Sequence, residues 1–176
     1  MTRYSLSDKV VLITGAGRGL GAATAIALTQ RGARDVDLSA AKRVATTLPN
    51  GQGLALKCDV THIDSVQEAV RQTHEEFGRI DVAIANAGVL GRGGTFRTLT
   101  PDQVGGVMSV NVAGVVNTVA ATLESVISSR GQIVLVSSVF AYINGAGAIP
   151  YAMSEAAVEQ LGRALASSWR ATERRP

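Results

Sequence analysis

The sequence predicts an α/β fold in which a parallel sheet carries helices on both faces, giving three layers. Short runs rich in β-branched residues alternate with longer segments of helical periodicity, the pattern of βαβ units. The run Val10–Ile13 contains no polar residue, as expected of a strand buried on both faces. A length of 176 residues is typical of one domain, so we assign residues 1–176 to a single domain.

The first half of the chain is predicted to contain three strands that each lead into a helix. Residues 10–13 form the first strand, and a glycine-rich turn leads from it into a helix over 20–30. The second strand lies around Val36 and Leu38, and a helix over 40–48 and a turn at 49–51 follow it. Residues 54–60 form the third strand, Asp64 caps a helix that ends at Phe77 and Gly78, and residues 80–85 form the next strand.

The second strand is predicted to be short. Only the residues around Val36 and Leu38 are available for it, about four fewer than the roughly 20-residue offset from a glycine turn to the following acid requires. Two outcomes stay open. The segment pairs as a poor strand, or it leaves a gap between neighbouring strands.

The second half is predicted to contain two long helices around one strand. Thr100, Pro101 and Gln103 form a helix start with a capping box, and residues 133–136 form a strand that precedes a helix from Tyr151. Residues 104–123 carry no charge and are long enough to cross a bilayer. Their Asn, Ser, Thr and Gly residues lower the hydrophobicity and no aromatic belt flanks them, which favours a buried helix.

Composition excludes several classes of function. Lys and Arg exceed Asp and Glu by 17 to 14, and the basic residues form no stripe that would indicate nucleic acid. One cysteine, Cys58, excludes an internal disulfide, and it forms no metal-ligand cluster with the two histidines. The N-terminal residues lack the apolar stretch of a signal peptide. We therefore expect a cytoplasmic protein without structural metal.

The glycine-rich turn over residues 14–21 carries the clearest functional signal. It directly follows a strand and opens a helix, where backbone N–H groups and the helix dipole bind a pyrophosphate at close range. Glycine is needed because a Cβ would block that approach. A tight turn that binds no ligand would also need one or two glycines. The strand–turn–helix context nevertheless favours a Rossmann-type, doubly wound dinucleotide-binding fold.

The turn fits the pattern TGxxxGxG, which resembles the short-chain dehydrogenase/reductase family. Asp59-Val60 resembles the family's adenine contact, and Asn86-Ala87-Gly88 resembles the motif beside its adenine ring and ribose. The resemblance implies a cofactor, NAD with NADP as the alternative, held by these residues: Thr14, Gly15, Arg18, Gly19, Leu20, Gly21, Asp35, Asp59, Val60, Asn86, Ala87 and Gly88.

Asp35 and Arg18 bear on the choice of dinucleotide. If Asp35 is the acid that follows the second strand, its carboxylate binds the adenine ribose 2′-hydroxyl and repels a 2′-phosphate, which favours NAD. Arg18 weakly favours NADP. The placement of Asp35 depends on the shortened strand.

Three further residues match the family's catalytic Asn, Ser and Tyr: Asn111, Ser138 and Tyr151. The resemblance implies hydride transfer between the nicotinamide and a ketone or secondary alcohol, with Tyr151 as proton donor or acceptor and Ser138 holding the substrate oxygen. A free phenol has a pKa near ~10, so Tyr needs a nearby cation. In the family this is a Lys four residues after the Tyr.

Glu155 occupies that lysine position and is the main departure from the family. A carboxylate one turn from Tyr151 would raise the pKa of the phenol, although it could accept hydrogen bonds from the ribose hydroxyls. We therefore expect impaired turnover, or a catalytically silent module that binds dinucleotide or pairs with an intact relative.

Two expectations concern the chain end and assembly. The family continues through two more strands after the helix that begins at Tyr151, so the resemblance implies missing C-terminal strands and an exposed strand edge. The family also forms homo-oligomers, dimers or tetramers, through its two long helices. Apolar residues of the last helix, among them Val158 and Leu161, could form one such face or pack on the sheet.

Overall fold

The computed structural model describes residues 5–31, 34–37, 53–143 and 145–172, with 34–37 and 169–172 described by backbone alone. The chain divides into two compact units. The first comprises Met1–Ala87 and Gly114–Val134, and the second comprises Gly88–Ala113 and Leu135–Pro176. The assignment of residues 1–176 to one domain stays a prediction.

The sheet confirms the α/β class. Its strands are β1 (Val10–Ile13), β2 (Arg34–Asp37), β3 (Gly53–Ala55), β4 (Val82–Ala85) and β5 (Gln132–Leu135). Their order is β3-β2-β1-β4-β5, and the pairings β1–β2, β1–β4 and β2–β3 are all parallel. The order reverses direction between β1 and β4, which makes their carboxyl ends the switch point of a doubly wound sheet.

The short second strand pairs on both sides. Val36 lies opposite Leu12 of β1 and opposite Leu54 of β3. The segment therefore pairs as a strand, and the alternative prediction of a gap between neighbouring strands is wrong. Leu38, the helix over 40–48 and the turn at 49–51 lie outside the described residues. The third strand is shorter than predicted, because the paired register with β2 stops where Asp37 meets Ala55.

The helices are α1 (Gly19–Thr29), α2 (Ile63–Phe77), α3 (Pro101–Met108), α4 (Gly114–Ser128) and α5 (Ile149–Thr172). The core of the first unit joins Val10 and Leu12 of β1 to Ala69 of α2 and Val126 of α4. Side chains alternate along a strand, so Val11 and Ile13 of β1 face the opposite side of the sheet. α1 contacts β2.

Local sequence signals explain the start of α3 and the end of α2. The Thr100 hydroxyl accepts from the Gln103 amide, and the Gln103 side chain accepts from the Thr100 amide, so the capping box is confirmed. Gly78 ends α2 in the left-handed conformation, with φ of 75°. Asp64 does not cap α2, because it is the second residue of the helix and His62 precedes it as the cap.

The uncharged helical segment of the second half is not a uniform α-helix. Between α3 and α4, residues Ser109–Ala113 form a π-helical segment, a feature that often occurs at functional sites. Pro101–Ser128 as a whole is long and apolar enough to cross a membrane, although core helices of soluble proteins meet the same criterion. A third of its most apolar stretch is buried, and Val115, Thr118 and Val126 are among the buried residues of the segment.

Candidate functional site

The glycine-rich turn lies at the carboxyl end of β1, in the first unit. Gly15 and Gly19 have φ angles of 72° and 58°, a region that residues with a Cβ rarely adopt. A Cβ on Gly15 would lie 2.8 Å from the Ala87 Cα, and one on Gly21 would lie 2.6 Å from the Gly15 carbonyl oxygen. Glycine at these two positions lets the turn pack directly against the end of β4.

Thr14 joins the two strands at the switch point. Its hydroxyl oxygen accepts hydrogen bonds from the Asn86 amide at 3.0 Å and the Ala87 amide at 3.1 Å. The Asn86 side chain in turn donates to the carbonyl oxygens of Thr14 at 2.9 Å and Gly15 at 3.3 Å. Thr14 is buried. These four hydrogen bonds hold the two predicted cofactor segments, 14–21 and 86–87, together.

The start of α1 fits an anionic group. No side chain caps this helix, and its first turn contains no acidic residue, so neither a cap nor a carboxylate competes there for an anion. A Cβ on Gly19 would meet nothing within 4 Å, so the outer side of the turn is open. Arg18 and Leu20 are exposed beside it. These features fit the pyrophosphate of a dinucleotide.

Asp59 and Val60 follow β3 in the same unit. The Thr61 hydroxyl and amide donate to the Asp59 carboxylate at 2.7 and 2.9 Å, and these bonds hold the pKa of Asp59 below its ordinary value. Val60 is buried, and its carbonyl oxygen accepts a hydrogen bond from the Asn117 side chain at 2.9 Å. Asn117 was not singled out from the sequence, because its partner lies 57 residues away.

Asn111 belongs to the second unit and lies in the π-helical segment. It is 2% exposed, and its side-chain oxygen accepts from the Val89 amide at 2.8 Å. Its two amide hydrogens go to the Val89 carbonyl at 2.9 Å and the Ser154 hydroxyl at 3.0 Å. Ser154 donates to the Tyr151 carbonyl at 2.7 Å. Asn111 is thus linked through Ser154 to the first turn of α5.

Ser138 and Tyr151 are both partly exposed in the second unit. Ser138 caps a short 3₁₀ helix, Val139–Ala141, and its oxygen accepts from the Phe140 amide at 3.3 Å, a bond that leaves the hydroxyl hydrogen for another acceptor. The Phe140 and Tyr151 rings meet edge to face, with centroids 5.7 Å apart. Among the described residues, no direct hydrogen bond joins the Ser138 and Tyr151 hydroxyls.

Glu155 lies one turn after Tyr151 on α5 and is 6% exposed. Burial raises the pKa of its carboxyl, the nearby Glu159 carboxylate adds to this, and hydrogen bonding by Ser137 partly offsets both. None of these groups is a cation. The Ser137 hydroxyl also donates to the Glu155 backbone carbonyl at 3.3 Å. The family's lysine position therefore holds a buried carboxyl that burial drives toward its neutral form.

The sequence-predicted residues fall into two sets. The cofactor set, whose residues fall between Thr14 and Ala87 in the sequence, lies in the first unit. Gly88, which is exposed, lies in the second unit with the catalytic set of Asn111, Ser138, Tyr151 and Glu155. Within the first set, the register places Asp35 opposite Val11 inside β2, whereas Asp37 is the last residue of the strand.

The model of the family described as "short chain dehydrogenase" matches residues 9–173. The chain belongs to the short-chain dehydrogenase/reductase family. This membership confirms the family resemblance and the Rossmann-type fold. It is also in keeping with α3 and α4 being helices of a soluble protein.

Several family members resemble the chain over most of its length. Versicolorin reductase 1 of Dothistroma septosporum is 38% identical over 174 residues, which cover 93% of this chain and 64% of that protein. Meso-2,3-butanediol dehydrogenase of Serratia marcescens is 35% identical, over 90% of this chain and 64% of that protein. The chain therefore spans just under two thirds of the length of these relatives.

Solved structures agree with the fold. A short-chain dehydrogenase/reductase from Burkholderia phymatum, in complex with NAD, superposes with a TM-score of 0.91 at 28% identity, covering 96% of this chain and 63% of that one. A 3-ketoacyl-(acyl-carrier-protein) reductase from Brucella melitensis, complexed with NADH, gives a TM-score of 0.88 at 27% identity, covering 93% and 71%.

Proposed function

We propose that this chain binds a nicotinamide dinucleotide and supports hydride transfer to or from a ketone or secondary alcohol, at a rate that Glu155 limits. The observation that carries the proposal is the bonded pair of loops at the switch point, where Thr14 and Asn86 hold the glycine turn beside an uncapped helix start. The family supports the reaction class, and relatives solved with NAD and NADH support the cofactor.

The residues of the first unit would hold the cofactor. The amides at the start of α1 bind the pyrophosphate, and Asp59 and Val60 contact the adenine. Of the two acids in β2, we favour Asp37 for the adenine ribose because it ends the strand opposite Ile13, the residue before the glycine turn. An acid at that place favours NAD over NADP.

The residues of the second unit would act on the substrate. When bound, the dinucleotide supplies or accepts the hydride at the nicotinamide C4. In the reduction direction, the Ser138 hydroxyl hydrogen-bonds the carbonyl oxygen, and the Tyr151 hydroxyl gives it a proton. The side-chain bonds of Asn111 go to Val89 and Ser154, so we assign Asn111 a positioning role.

Glu155 is the reason to expect slow turnover. A neutral carboxyl gives Tyr151 no cationic assistance, and a charged one disfavours the phenolate. The substitution Glu155→Lys is therefore expected to raise the rate of carbonyl reduction by about 10²–10⁴-fold, the usual range for acid–base assistance. The matched control is Glu124→Lys, which makes the same charge change at an exposed residue that is not among the groups shifting the pKa of Glu155, and it should leave the rate unchanged.

The test is a titration with NAD and NADH followed by a panel of ketones and secondary alcohols, for the parent and both variants. Equal rates for the parent and Glu155→Lys would contradict the assigned role of Glu155. Binding of dinucleotide without turnover in any variant would favour the second candidate, a silent dinucleotide-binding or partner module. Glu155, in place of the family's lysine, is the observation that supports that candidate.

Family membership supports a small-molecule substrate and is compatible with an oligomer. We propose a homo-oligomer, a dimer or tetramer, in the cytoplasm, with a small alcohol or ketone as substrate. Val158 is 3% exposed and packs inside the fold, so it does not form the oligomer face suggested by the pattern of α5. Leu161 is partly exposed and remains available for it.

A further inference from the structure

The loop that carries Asp59 and Val60 is held from two sides within the first unit. On its own side, the Asp59 amide donates to the Ser65 hydroxyl at 3.0 Å, and the Asp59 carboxylate accepts from Thr61. These bonds fix the turn before α2. They do not fix the loop against the rest of the unit.

Helix α4 supplies the second restraint. The Asn117 side chain donates to the Val60 carbonyl at 2.9 Å. One turn earlier, Gly114 lies so close to Val60 that a Cβ on it would come within 2.6 Å of the Val60 Cγ2. Asn117 thus hydrogen-bonds the Val60 backbone, and the missing side chain of Gly114 leaves space for the Val60 side chain.

We propose that Asn117 is a positioning residue for the adenine end of the dinucleotide and that it acts through the backbone of Val60. This inference rests on the proposed function, because it takes residues 59–60 as the adenine contact. The loop follows β3, so it belongs to the same carboxyl edge of the parallel sheet as the glycine turn after β1. Parallel sheets bind their ligands at that edge.

The bond also fits a positioning role energetically. A hydrogen bond between a side chain and a backbone carbonyl contributes modestly to stability, so its loss need not unfold the protein. A loop that must hold a ligand within a fraction of an ångström is more sensitive, because small displacements weaken every contact that it makes.

The experiment compares two halves of the cofactor. ADP-ribose contains the adenine half, and nicotinamide mononucleotide does not. For Asn117→Leu, which removes the donor and keeps the volume, we expect the Kd of ADP-ribose to rise about 3- to 10-fold, the value of one ordinary hydrogen bond. The Kd of nicotinamide mononucleotide should not change. Glu124→Gln, on the exposed side of the same helix, is the control and should change neither value.

A second variant approaches the same contact from the other residue. Gly114→Ala places a methyl group against Val60 and is expected to give the same selective loss, so the inference stays testable if Asn117→Leu does not fold. Normal ADP-ribose affinity in a folded variant, or an equal loss for both ligands, overturns the positioning role. A parent chain that binds neither ligand overturns the proposed function itself, and the inference with it.

Discussion

Replacing Thr14 by Val tests the hydrogen bonds that close the switch point. Valine keeps the shape of threonine but cannot accept a hydrogen bond, so the amides of Asn86 and Ala87 each lose the partner that now lies 3.0–3.1 Å away. Thr14 is 1% exposed, and few water molecules can replace its hydroxyl. An amide left without a partner in a buried site costs about 1–3 kcal/mol.

The two amides are only partly buried, so the lower end of that range applies to each. We expect Thr14→Val to lower the free energy of unfolding by about 2 kcal/mol, which for a chain of this size lowers Tm by about 4–8 °C. The released loops should also bind dinucleotide more weakly, since they carry the turn that we propose holds the pyrophosphate. Urea unfolding followed by circular dichroism, with an NAD titration, measures both effects.

Thr118→Val is the matched control. Thr118 is also 1% exposed, but its hydroxyl donates to the Gly114 carbonyl of its own helix, so its removal leaves no amide without a partner. That variant should cost less than about 1 kcal/mol and leave dinucleotide affinity unchanged. If both variants lose the same stability, the two hydrogen bonds accepted by Thr14 do not close the switch point as argued.

Two further predictions concern α5. The raised pKa of the Glu155 carboxyl means that its stabilising contribution is complete below its ordinary value of 4.5 and is lost as pH rises through the folded value. Glu155→Gln should therefore gain stability over the parent as pH rises above 4.5, and a pH-independent difference in urea unfolding would contradict this. Ser154→Ala removes the acceptor of Asn111 and the donor to the Tyr151 carbonyl, and should lower the unfolding free energy by about 1–2 kcal/mol. A change below about 0.5 kcal/mol, the size of an ordinary surface substitution, would show that the link contributes little.

Local patterns in the sequence predicted the features that depend on neighbours along the chain. The glycine turn, the apolar strand Val10–Ile13 and the capping box at Thr100 each follow from a few consecutive residues. Strand β3 was predicted too long because apolar residues continue after Ala55, whereas the length of a strand depends on its partner. The paired register with β2 stops at Asp37, and that limit cannot be read from residues 54–60.

The supporting polar residues of the site could not be predicted in the same way. Asn117 and Ser154 look like ordinary residues of a helix, and their roles come from partners 57 and 43 positions away. The π-helical segment around Asn111 is equally hidden, since it coincides with side-chain bonds to Val89 that only the folded chain brings together. A weak general signal existed, because an uncharged amide in an apolar helix needs a partner when it is buried.

Under the proposed function, cofactor binding and turnover depend on different residues and can be tested separately. The bonds that shape the cofactor segments involve Thr14, Asn86 and Asn117, all in the first unit, and none of them includes Glu155. The groups that set the pKa of Glu155 are its own burial, Ser137 and Glu159. A change at this position therefore alters the help available to Tyr151 while the segments that bind dinucleotide stay as they are. Parent and Glu155→Lys should then differ in turnover and bind ADP equally, because ADP lacks the nicotinamide ribose whose hydroxyls Glu155 could contact. An ADP affinity that changes together with the rate would show that the two properties are coupled.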